Sequence, residues 1–154
     1  MKTLYLKIVA FLNKLHDLPL LAIRLILAYG FNNPALMKIN NMPDIISWFE
    51  GMGIPFPTVN AYLAAGSEAA GVALLTLGLG TRLISIPLIV DMVVAIVKVH
   101  GENGFEAANN GFEIPLYYMI MLFTLLIIGP GRASIDYLID RSTNTNLNKS
   151  LMYR

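Results

Sequence analysis

The chain has no cysteine. That excludes structural disulfides, a dithiol active site and thiolate metal ligands. Histidine is scarce, with two residues, and there is a single tryptophan. Charge is scarce as well: 14% of residues are Asp, Glu, Lys or Arg, where a soluble domain carries about a quarter. The net charge is +1 with no basic stripe, so nothing points to nucleic acid. What the chain does have is apolar sequence, 56% of its 154 residues, at a mean hydropathy of +0.61. The apolar residues gather in long blocks, which points to lipid surroundings rather than to a large dry core.

A helix needs about 20 mostly apolar residues to cross the hydrocarbon layer. Four segments meet or approach that length. The clearest is 58–79, with Pro57 near its start and Gly78 and Gly80 at its end. A tight Gly-Thr-Arg turn separates it from 81–99, and a third run, 112–128, stops at Gly129-Pro130-Gly131, a strong terminator. The fourth begins at Leu18 and is apolar, apart from Arg24, to Phe31; it reaches spanning length by continuing through Pro34 to Lys38. The expected fold is all-α, an integral membrane four-helix bundle forming one domain over 1–141, with a loose tail over 142–154. Residues 3–15 read as an amphipathic lead-in on the inner leaflet, with neither the apolar run nor the cleavage site of a signal peptide. Pro43 is expected to start a short surface helix placing Ile45, Ile46, Phe49 and Met52 on one face, with Trp48 at the interface. Residues 101–111 read as a polar outer loop.

Four spans put both ends of the chain and the turn at Arg82 on one side. That side carries Lys2, Lys7, Lys14, Arg82, Arg132, Arg141, Lys149 and Arg154, against Lys38 and Lys98 on the other; the eleventh cation, Arg24, lies inside the first span. The bias predicts cytoplasmic termini.

Charges inside the spans are the candidate site. At about 1.5 Å per residue, Arg24 sits roughly 10 Å above Asp17, Glu68 roughly 16 Å above Leu79 and Asp91 roughly 14 Å above Arg82. All three can therefore meet near mid-membrane, where an unpaired charge costs about 2.5–3.5 kcal/mol. Arg24 paired with one carboxylate leaves the other without a cation at its depth, and the two carboxylates would titrate as a unit. The same residues also suit a purely structural lock on helix register.

A second candidate cluster lies at the outer ends of spans three and four. Lys98 follows Asp91 by seven residues on the same helix face, His100 stands at the rim, and Glu113 opens the fourth span. Together they read as an outward polar mouth for substrate. His100 with Met37, Met42 and Met52 offers soft donors, but no spacing is specific to a metal site. Small residues crowd span two (Ala61, Ala64, Ala65, Gly66, Ala69, Ala70, Gly71), a packing face.

The chain resembles the DoxX family of small bacterial four-helix membrane proteins. The similar stretches are Arg24 through Phe31 to Lys38; Glu68-Ala69-Ala70-Gly71; Gly78-Leu79-Gly80-Thr81-Arg82 with Met92 and Ala95; and Gly129-Pro130-Gly131-Arg132 with Ser134 and Asp136. Gly53-Ile54-Pro55-Phe56-Pro57 and the stretch from His100 to Phe105 are also similar. The likeness runs from about Leu18 to Asp140. Ala35 and the Ala70-Gly71 pair stand where the family often has glycine, small-for-small exchanges that preserve packing. The resemblance implies association with membrane redox systems: subunits of thiosulfate:quinone oxidoreductase, complexes handling thiols or oxidative stress, and, for some members, gene clusters for copper-related modified peptides.

Three functions fit. The favoured one is an inner-membrane subunit of a quinone-linked redox system, with Arg24, Glu68 and Asp91 handling protons or binding quinone. Without cysteine or paired histidines for haem, such a chain needs quinone and a partner protein to move electrons. The alternatives are a non-catalytic anchor or scaffold for a partner protein, and a small-solute pathway, for which homo-oligomerisation would supply the room four short helices lack.

Overall fold

A computed structural model describes the backbone of residues 2–152 and the side chains of residues 2, 4–13 and 15–143. Within them the chain is helical and contains no strand. Helix α1 spans Lys2–Lys14, α2 Asp17–Asn40, α3 Met42–Gly51, α4 Pro57–Leu77 and α5 Thr81–Val94. The last runs on through a π-helical segment, Ala95–His100, into a 3₁₀ turn, Gly101–Asn103; a second 3₁₀ turn covers Ala107–Asn109. Helix α6 spans Glu113–Ile128 and α7 Ile135–Met152.

Two runs, Asp17–Asn40 and Thr81–Asn103, are each long and apolar enough to cross a membrane. Helix α6 has 16 residues and α4 has 21, the latter diluted by alanine, glycine and serine. Helix α2 packs on α4 and α6, and α5 packs on the same two, around a core that includes Leu27, Phe31, Leu75, Leu88, Leu122 and Leu125. Close approach is made by small residues. A Cβ on Gly71 would stand 2.9 Å from Leu88 Cδ1. A Cβ on Gly30 would stand 2.0 Å from the Tyr118 hydroxyl, and Tyr118 meets Phe31 edge-on at 5.6 Å between ring centres. Tyr118 is thus part of the packing between α2 and α6. Large apolar side chains point outward instead: Tyr29, Leu63, Leu83, Val97 and Ile127 are all more than 60% exposed. So extensive an apolar surface marks a membrane or partner contact rather than water.

Helix α3 forms where Pro43 predicts it. Pro43 occupies the first turn, where its missing N–H costs nothing. Ile45 and Phe49 are buried against Ala61 and Ala64 of α4, with Met42, Ile46 and Met52 packed around them. Residues 101–111 form no regular helix beyond the two short turns, as a polar loop should.

Helix α7 continues to Met152 through residues read as loose; Tyr153 and Arg154 lie outside the described residues. The stretch carries no apolar stripe, so periodicity gives no helix signal there. The local signal is a cap: Ser134 Oγ accepts from the Tyr137 N–H at 3.2 Å, the usual way a serine satisfies an orphan donor of a first turn.

Candidate functional site

Arg24, Ala28, Phe31, Ala35 and Lys38 recur at three- and four-residue steps along α2, which brings two cations onto the face that meets α4. The helix runs unbroken past Pro34, so Lys38 is its last-turn cation rather than a loop residue. Side chains on an α-helix lean toward its N-terminus. Arg24 therefore leans away from Glu68, and Lys38 leans toward it.

The contacts follow that lean. Lys38 Nζ donates to both Glu68 carboxylate oxygens at 2.8 Å, with the two side chains only 11% and 5% exposed. Arg24 is fully buried at the other end, where its Nη2 donates to the Ala133 carbonyl and Asp136 supplies the nearby negative charge. Its Nη1 lies against Gly78, which follows Glu68 by ten residues, or about 15 Å along α4. The structure thus brings Glu68 and Asp91 together without Arg24. Lys38, which the charge count sets on the outer side, takes the place expected of the arginine.

Asp91 accepts a hydrogen bond from Ser67 Oγ at 2.5 Å and lies within electrostatic reach of Glu68 and Lys38. These four polar residues form one end of a cavity of about 710 Å³ between α3, α4 and α5, and the rest of its wall is mainly apolar. Trp48, Tyr62, Leu63 and Val90 line its open side and are exposed.

The three residues of the expected outer mouth separate. Lys98 lines the same cavity, its Nζ 3.5 Å from the Met52 carbonyl. The π-helical turn alters the register beyond Val94, so Lys98 no longer sits in simple heptad relation to Asp91. His100 Nδ1 donates to the Asn110 carbonyl at 2.8 Å. Glu113 accepts from the Ala107 N–H and the Tyr117 hydroxyl, both at 3.0 Å. Those two residues hold the 101–113 loop together and do not line the cavity.

The far end is held by a tight turn. Gly78 and Gly80 adopt left-handed φ of 66° and 57°, and the next residues start α5. The Asp136 carboxylate accepts from the Gly80 and Thr81 N–H groups at 2.8 and 3.1 Å, capping α5 from a different helix. Hydrogen bonds to a charged group contribute about 1.5–3 kcal/mol each. Asp136→Ala should therefore lower the thermal midpoint in detergent clearly, with Asp136→Asn intermediate. An unchanged midpoint for the alanine variant would remove the cap from this account.

The DoxX family model matches residues 19–101. An uncharacterized protein of Haemophilus influenzae is 32% identical over 130 residues, 79% of this chain and 83% of its own. An uncharacterized membrane protein of Mycobacterium tuberculosis is 34% identical over 128 residues, 75% of this chain and 78% of its own. No solved structure matches significantly. The family match spans more than half of the chain, from just before Arg24 to just past Lys98 and His100, and thus takes in Lys38, Glu68 and Asp91; this chain is a membrane protein of the DoxX family.

Proposed function

We propose that the protein is a multi-pass protein of the bacterial inner membrane and serves as the membrane subunit of a quinone-linked redox system. In this reading α2, α4, the run from Thr81 and α6 are the spans of a four-helix bundle within a single domain over 1–141. The bias of cations toward one side puts both termini in the cytoplasm. The observation that carries the functional reading is Asp91: a carboxylate hydrogen-bonded, among the described residues, to Ser67 alone, at the polar end of a mainly apolar cavity, next to an ion pair that already satisfies Glu68.

A ring with two carbonyl oxygens and an apolar tail fits that cavity in size and chemistry. About 700 Å³ lies within the range of ligand pockets, and mainly apolar walls with a few convergent polar groups are their usual make-up. Bound there, a quinone would supply a two-electron, two-proton acceptor. Lys38, already oriented by Glu68, would donate a hydrogen bond to one carbonyl oxygen, and Asp91 would pass a proton to or from the other, with Ser67 holding its carboxyl in place. Lys98 at the rim would keep the path to water polar. The electrons would come from a partner protein, since no cysteine is present to carry them.

Trp48 lines the cavity and is the only tryptophan, which makes it a reporter. Titration with a short-chain quinone should quench its fluorescence saturably. Asp91→Asn should weaken that binding at least tenfold, a loss of about 1.4 kcal/mol, with membrane yield unchanged. Linear, non-saturating quenching identical in both proteins would sink the quinone reading. Retained activity of the complex in Asp91→Asn would favour the anchor or scaffold role instead.

A further inference from the structure

At the opposite end from the Lys38–Glu68 cavity lies a second hollow of about 560 Å³, bounded by the start of α5, the turn from Gly129 to Arg132 and the start of α7. Two arginines from separate elements line it. Arg82 is held in place: its Nη2 donates to the Ile128 carbonyl at 3.2 Å. Its guanidinium also lies against Gly129, where an added Cβ would stand 3.3 Å from both Nε and Nη2. Gly129 has φ +96°, so both its backbone and the arginine above it favour glycine. The Arg132 side chain is 68% exposed, with Nε 3.5 Å from Asp17 Oδ2.

Three carboxylates also line the hollow, those of Asp17, Asp136 and Asp140, and the first two are engaged by backbone. Asp17 Oδ1 accepts from the Arg132 N–H at 3.0 Å, and Asp136 caps α5 through both oxygens. A guanidinium has five N–H donors in a planar fork, and Arg82 uses one of them on the Ile128 carbonyl. Beside the two cations stand exposed Leu83, Ile128 and Ile139. A pair of guanidinium forks bordered by exposed apolar side chains is complementary to a phosphodiester with acyl chains attached.

We propose that this hollow binds the phosphodiester headgroup of an anionic membrane lipid, with Arg82 and Arg132 on the phosphate and the acyl chains along Leu83 and Ile128. The site is independent of the ligand proposed for the other cavity, and membrane orientation decides only which leaflet supplies the lipid. A basic residue at an anionic bilayer surface contributes enough to change binding about fivefold.

The test uses the full chain, delipidated in mild detergent and titrated separately with phosphatidylglycerol, phosphatidylcholine and inorganic phosphate, with bound species counted by native mass spectrometry. Phosphatidylglycerol should be retained in preference to phosphatidylcholine, and equimolar inorganic phosphate should not displace it. Arg132→Gln should weaken phosphatidylglycerol about fivefold, and Arg82→Gln with Arg132→Gln about 25-fold, leaving phosphatidylcholine unchanged. Should the double variant fail to fold, Arg132→Gln alone gives the reading, because that side chain is solvent-facing. Equal retention of the two lipids by the unaltered protein, an undiminished preference in Arg132→Gln, or displacement by inorganic phosphate would each overturn the proposal.

Discussion

Lys38→Met should destabilise the protein by about 3–5 kcal/mol, the usual cost of leaving one partner of a buried ion pair uncompensated. Glu68 is almost fully enclosed, and among the described residues Lys38 is the one group that donates to it, through both oxygens. Removing the lysine leaves an almost fully enclosed carboxylate without the cation that pairs with it. Adding Glu68→Leu to the same chain should recover most of the loss, because a buried pair replaced by apolar side chains of similar size is often neutral. The coupling between the two positions, read from unfolding of both single variants and the double in detergent, should therefore be large. Arg24 and Glu68, by contrast, should show coupling near zero. Each pairing makes its own forecast, so the cycle distinguishes the lysine from the arginine as the partner of Glu68 without any assay of function.

Gly78→Ala should be at least as damaging. A Cβ at this position would fall 1.7 Å from Arg24 Nη1 and 2.5 Å from Ser134 Cβ, both in buried side chains. The backbone adds to the conflict, since φ is +66° and a side chain in the left-handed region costs about 1–2 kcal/mol. Arg24 cannot move aside cheaply: it is fully buried, and Nη2 is fixed on the Ala133 carbonyl. The expected result is a loss of more than about 4 kcal/mol, in the range where single substitutions abolish folding, seen as collapse of membrane yield. Gly66→Ala is the matched control on the same helix. Nothing stands within 4 Å of its added Cβ, so alanine should be neutral or slightly stabilising by its helix propensity. A second change, Arg24→Ala, should rescue Gly78→Ala only in part, relieving the clash while the φ strain remains.

These two predictions rest on features of unequal legibility. The apolar runs and the glycine-proline punctuation place α2, α4, α5 and α6 in the sequence, and Pro43 places α3, because the signals are local. The partner of Glu68 was not legible in the same way. The first span reaches its length only by continuing through Asn32, Asn33 and Pro34 to Lys38, and the charge count sets that lysine on the outer side, away from the intramembrane charges. Only an unbroken helix through Pro34 puts Lys38 on the Arg24 face two heptads later, and only the N-terminal lean of helical side chains then decides which cation meets Glu68. That spacing was the available signal. Lys98 reads in the sequence as part of an outer mouth with His100 and Glu113, and nothing in Ala95 to His100 marks the π-helical turn that sets its register. His100 and Glu113 look like site residues because polar side chains at a rim do; in the structure their hydrogen bonds go to loop backbone and to a neighbouring tyrosine. The contacts of Asp136 with the start of α5 join positions 56 and 55 residues apart, a distance over which a single sequence gives no pairing signal.

The central claim is that the cavity beside Lys38, Glu68 and Asp91 holds a lipid-soluble quinone. The most direct test is native mass spectrometry of the protein released from its own membranes in mild detergent, unaltered and as Asp91→Asn. The account predicts a bound mass equal to a quinone of the host on the unaltered chain, absent from Asp91→Asn at the same yield. A bare chain in both preparations, or the same quinone retained equally by both, would contradict it.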